Sequence, residues 1–197
     1  MKRFIVRPGW IRTLACVLAA LCGSSAWAAD KTWAGAAGAS WNVAGNWSPS
    51  GIPGSADTAV IGAGATPLIS ATPASSIENL QNAGTLTINT GCVLNIDGTT
   101  SPVFSDAGTI VTNGTGYVSV NGGAAGGYLI NQTCTLGNLV WNDAAAGNTM
   151  GIRSGNTATI NGYFTITKGT FVSIDVANGP AALDINGTLT IGANGRL

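Results

Sequence analysis

Acids, three clustered tryptophans and two late cysteines are the side chains of this 197-residue chain that could do chemistry. Histidine is absent, which excludes a Ser-His-Asp triad, a Cys-His pair and any histidine-ligated zinc site. Carboxylates remain. Asp97, Asp106, Asp143, Asp175 and Asp184 are the acids a polysaccharide hydrolase or lyase would use, because glycoside cleavage needs two carboxyls about 5–10 Å apart and calcium needs oxygen ligands. None falls in a paired motif, and Asp97 and Asp143 read as solvated turn residues. Arg153 and Lys168 are isolated, and no Gly-Gly-x-Gly-x-Asp array for calcium occurs. No catalytic, cofactor or metal residue is therefore assigned, and the chain reads as a non-enzyme. Trp33, Trp41 and Trp47 are the remaining candidates. They are either aromatic platforms for sugar rings or large apolar area that closes the end of a core.

The start of the chain reads as a secretory leader. Lys2, Arg3, Arg7 and Arg12 precede or open a short apolar run at 11–21, and "AWAAD" at 26–30 supplies small residues for cleavage after Ala28. That run is short for a membrane span. Cys22 follows Leu21 rather than a small residue, so a lipid anchor is not expected. Without the leader, Lys31, Arg153, Lys168 and Arg196 face eight acids, a net charge of −4. No basic cluster remains to displace counterions, which argues against a nucleic-acid partner. Only Cys92 and Cys134 stay in the exported chain.

The composition narrows the fold. Charged residues make up 8% of the chain, against about 25% in ordinary domains. The β-branched and aliphatic content is too high for disorder. Short alternating runs recur between glycines: "GTLTIN" from Gly84, "GTIVTN" from Gly108, "GYFTIT" from Gly162 and "GTLTIG" from Gly187. Gly84 and Gly108 lie 24 residues apart, and Gly162 and Gly187 lie 25 apart. A strand repeat of that period predicts a solenoid. Alternation predicts inward side chains at Leu86 and Ile88, Leu94 and Ile96, Val118 and Val120, Phe164 and Ile166, Val172 and Ile174, Leu183 and Ile185, and Leu189 and Ile191. Asn-Gly dipeptides at Asn113, Asn121, Asn161, Asn178, Asn186 and Asn194, with Asp97-Gly98, predict sharp turns of positive φ.

The fold expected is thus all-β, a parallel β-helix (β-solenoid) with a tryptophan-rich N-terminal cap; the alternative is an antiparallel β-sandwich, which Asn-Gly turns also favour. The expected organisation is a leader at 1–28, a cap with the first strand at 57–62 within 29–62, and solenoid rungs over 63–197, five of them from residue 77, with the chain truncated at its C-terminal side. Stacked at about 4.8 Å per rung, Cys92 and Cys134 fall nearly two rungs apart, beyond the ~7 Å Cα reach of a disulfide. Two separate buried thiols are expected.

The run "TWAGAAGASWNVAGNWSPSGIPGSADTAVIG" at 32–62, followed by "SIENLQNAGTLTINTGCVLNIDG" at 76–98, resembles the start of secreted bacterial β-helix surface proteins, including autotransporter passenger domains and related adhesins. The resemblance implies a secreted or cell-surface location, an adhesive or scaffolding role, and glycans or proteins of a host or environmental surface as partners. The translocator barrel, sorting signal or anchor of such proteins is not recognisable in the sequence. Two other readings stay open. One is a carbohydrate-active β-helix enzyme or carbohydrate-binding module. The other is ice binding by outward Thr-x-Thr pairs, at Thr85/Thr87, Thr157/Thr159, Thr165/Thr167 and Thr188/Thr190, a ladder that Val111 interrupts.

Overall fold

A computed structural model describes residues 28–99, 105, 108–122, 127–143, 149–174 and 180–197. Alternating apolar and polar residues form short strands, many of them closed by a glycine or asparagine corner. The chain begins with a cap turn, β1 (Asp30–Trp33) and β2 (Trp47–Ser48). Coils then follow: β3 (Thr58–Ile61) and β4 (Leu68–Ile69); β5 (Asn79–Asn82), β6 (Thr85–Ile88) and β7 (Val93–Ile96); β8 (Thr109–Thr112) and β9 (Tyr117–Val120). The fourth coil carries β10 (Gly127–Ile130), β11 (Cys134–Leu136) and β12 (Leu139–Asn142). The fifth carries β13 (Thr149–Arg153), β14 (Thr157–Ile160) and the start of β15 (Phe164–Ile174), and the sixth the rest of β15 with β16 (Ala182–Ile185) and β17 (Leu189–Arg196).

These strands stack as a parallel β-solenoid of about six turns. One face runs β4-β6-β8-β11-β14-β16. A second runs β7-β9-β12 and then joins the first half of β15 and β17. The third holds β1, β3 and β5 at one end and β10, β13 and the second half of β15 at the other. Among the described strands only β1 and β2 pair antiparallel, so the sandwich alternative does not hold.

The expected parity is found through the body of the rod. Leu86, Ile88, Leu94, Ile96, Val120, Phe164 and Ile166 are fully buried and Val118 nearly so. Trp141, which the repeat pattern did not single out, is also fully buried. Three expectations shift. Coiling starts earlier than 57–62: β1 already pairs in parallel with β3, and Ser40 bridges Leu68. Around the corner of β15 Phe171 is buried, and the strand reaches it through a bulge between Ile166 and Lys168 and a positive φ at Gly169 without breaking; the side chains of Val172 and Ile174, the expected inward pair, lie outside the described residues. Leu189 and Ile191 do occupy the columns of Phe164 and Ile166, yet they are 38% and 46% exposed.

The corner glycines act differently from expectation. Among the described Asn-Gly and Asp-Gly corners only Gly114 has a positive φ. Elsewhere the glycine is needed because the coil below comes too close: a Cβ at Gly162 would run into Asn138 Oδ1, and one at Gly187 into the Gly162 carbonyl. Asparagines tie neighbouring corners together, Asn113 Nδ2 donating to Asn89 Oδ1 at 3.0 Å and Asn186 Nδ2 to Asn161 Oδ1 at 2.9 Å.

Candidate functional site

The tryptophans lie at the closed end of the core. Trp33, Trp41 and Trp47 are 7%, 0% and 2% exposed, and the rings of Trp33 and Trp41 each meet Trp47 edge to face, with centroids 5.1 and 4.6 Å away. Trp47 Nε1 donates to the Trp41 carbonyl at 2.9 Å. Rings buried this far leave no open face for a sugar, so the stacking expectation for Trp33, Trp41 and Trp47 gives way to a structural role.

The acids do not converge. Asp97 is exposed and accepts from Asn121 Nδ2 at 3.0 Å. Asp143, expected as a solvated turn residue, is 1% exposed instead: it lies at the end of β12 under Gly169, where a Cβ would approach both Asp143 and the Trp141 indole. Asp184 lies exposed on β16, in register with Thr159. A buried and an exposed carboxyl do not face one groove, and among the described residues no three His, Cys, Asp or Glu side chains come together as a metal site. Asp106 and Asp175 lie outside the described residues.

Both cysteines are free and buried, as the rung spacing predicted. Burial pushes the Cys134 thiol up from 9.0 to about 12, which removes it as a nucleophile at neutral pH.

A column of outward polar groups lies on the face β4-β6-β8-β11-β14-β16. There Thr85 pairs with Thr109, Thr109 with Thr135 and Thr135 with Thr159, giving four threonines in one column over consecutive coils. Alternation aims all four outward, and each is half-buried. The adjacent column is uneven: Thr87 pairs with Val111, and the surface then dips at Gly137. This dip is a groove of about 190 Å³, bordered by Thr109, Thr112, Thr135, Asn138 and Asn161. No charged side chain lines it.

At the corner, Asn138 separates two aromatic residues. Val118 N donates to the Asn138 carbonyl, and Tyr163 N to Asn138 Oδ1 at 3.0 Å, so Tyr117, Asn138 and Tyr163 share a column. The two rings lean over it with centroids 6.4 Å apart at 50°. Both tyrosines are half-buried; burial first, and the neighbouring Tyr117 second, raise the Tyr163 pKa. Sequence reasoning missed Tyr117, Asn138 and Tyr163, although each directly follows a glycine at a corner, and that placement was a usable signal.

Fold and surface together define a β-solenoid with a sealed N-terminal end and a largely uncharged exterior. No family model, curated protein or solved structure matches the chain.

Proposed function

We propose that this chain is an exported β-helix protein of the bacterial cell surface, passenger- or adhesin-like, which acts as a scaffold and binding rod rather than as a catalyst. The observation that carries this reading is the tryptophan-sealed cap, with Trp33 on β1, Trp47 on β2 and Trp41 between them all buried, which leads straight into parallel coils. A sealed end suits a rod that starts just after a cleaved leader and projects outward. The outward positions are mostly Thr, Asn and Ser, a neutral exterior suited to contact with surface glycans or proteins. Among the described residues no helix is long and apolar enough to cross a membrane, in keeping with a rod held outside the bilayer.

The test is to express the full chain, with and without residues 1–28, in a bacterium with an accessible periplasm, and to follow the mature mass and its sensitivity to external protease. The expected result is a product that begins at Ala29 and is found outside the cytoplasm only when the leader is present. Cytoplasmic retention of an uncleaved chain would overturn the reading.

A further inference from the structure

We infer that the groove at Gly137 is a binding site for a neutral polysaccharide chain, laid across the third to fifth coils with one sugar ring in the dip. The inference rests on the surface-binding reading above and names its ligand class. Three features carry it.

The first is polarity without charge. Thr109 and Thr135 border the groove, and neither hydroxyl has a hydrogen-bond partner among the described residues. A hydroxyl both donates and accepts, so these groups match the hydroxyls of a sugar better than a carboxylate, phosphate or ammonium. The groove offers no counter-charge to such ions.

The second is size. At about 190 Å³ the groove is smaller than the roughly 300–1,000 Å³ of pockets that enclose a whole small molecule. It suits one ring of a longer chain. Its floor is fixed, because a Cβ at Gly137 would collide with Thr112 Oγ1, while Thr112 Oγ1 accepts from Asn138 N at 2.8 Å. Asn138 is itself held by Nδ2 bonds to the Gly114 and Gly116 carbonyls at 3.0 and 2.7 Å. A preorganised floor lowers the ordering cost of binding.

The third is the tyrosine pair. Gly162, in the lining, is followed directly by Tyr163, and Asn138 shares its column with both rings. Neither ring borders the groove itself; the pair continues the surface one residue beyond Gly162, where an aromatic face suits the next ring of a chain too long for the dip. Ice would need the threonine plane to continue, and the dip at Gly137 with Val111 beside it interrupts that plane.

The experiment titrates the full exported chain with cellohexaose, xylohexaose and dextran, with polygalacturonate as the charged control, by calorimetry and protein-observed NMR. Variants are Thr109→Val/Thr135→Val, which keeps shape and removes both hydroxyls, Tyr163→Ala, and Thr190→Val on the other face as the control. At least one neutral glycan should bind saturably and polygalacturonate should not. The double threonine variant and Tyr163→Ala should each weaken binding about fivefold or more, with Thr190→Val and the melting curves unchanged. No saturable binding of any neutral glycan, or binding indifferent to these variants, would overturn the inference. So would faceted ice growth that Thr109→Val/Thr135→Val abolishes. If the protein reaches the surface yet binds no glycan, only this inference falls; if it is retained in the cytoplasm, the reading beneath it falls as well.

Discussion

The first and last described coils bury the same kinds of side chain to very different degrees. At the N-terminal end Trp33, Trp41 and Trp47 close the interior, β2 covers the edge of β1 in antiparallel pairing, and Lys31 Nζ donates to the Pro49 and Ser50 carbonyls at 3.3 Å. At the other end the inward residues of β16 and β17 are only partly covered. Leu183 and Ile185 are half-buried, Ile191 is 46% exposed, and an apolar cavity of about 420 Å³ opens between Ile152, Phe171, Leu183 and Leu197. The pattern within a strand is the same in both places; what differs is how much cover the other described residues supply. Burial in a solenoid belongs to the stack rather than to the strand.

The largest expected effect breaks that contrast at its strong end. Trp41→Ala removes a fully buried indole and should cost about 3–5 kcal/mol, whereas Ile191→Ala should cost below about 1 kcal/mol; denaturant melts of the two variants check this, and equal losses would mean the ends are equivalent. Cys134 sharpens the contrast midway along the rod. Its folded pKa of about 12 lies above the ordinary 9.0, so between these values the unfolded state has lost the proton and the folded state has not. Stability should therefore fall as pH rises from 9 towards 12, by at most about 1.4 kcal/mol per pH unit, and Cys134→Ala should flatten that part of a pH series. Thiol labelling at neutral pH should stay slow at Cys134; fast labelling would show that opening spreads inward from the last coil. The smallest effect tests the exposed edge: Ile191→Glu should change the melting midpoint little, within about 0.5 kcal/mol, and lower any concentration-dependent self-association in sedimentation, since open strand edges template pairing.

Strand parity was legible in the sequence because it depends on alternation alone. Leu86, Ile88, Leu94 and Ile96 could be oriented without knowing any neighbour. Phe171 could not, because β15 passes a corner through a bulge that shifts the parity by one residue, and no glycine-asparagine signal announces it. The corner glycines were legible as turns but not in their cause, since a clash between Gly187 and the Gly162 carbonyl depends on the coil below. The candidate groove was illegible for the same reason. Thr109 and Thr135 lie on different coils, and only stacking brings them together with Asn138 and Asn161. Asp143 was misread because local turn chemistry says nothing about what packs over it.

Coil lengths vary more than the register does. Leu68 pairs with a residue 19 positions on, at Thr87, whereas Thr109 pairs with one 26 positions on, at Thr135. Most of the slack is taken up outside the strands, with single-residue bulges in the β10–β13, β12–β15 and β15–β17 pairings taking up the rest, so the ladder tolerates insertions at its corners that would be ruinous one residue inside β6 or β14. A peptide epitope spliced into such a corner should be displayed at a height along the rod set by the coil that carries it, which makes the molecule a ruler whose graduations can be loaded independently.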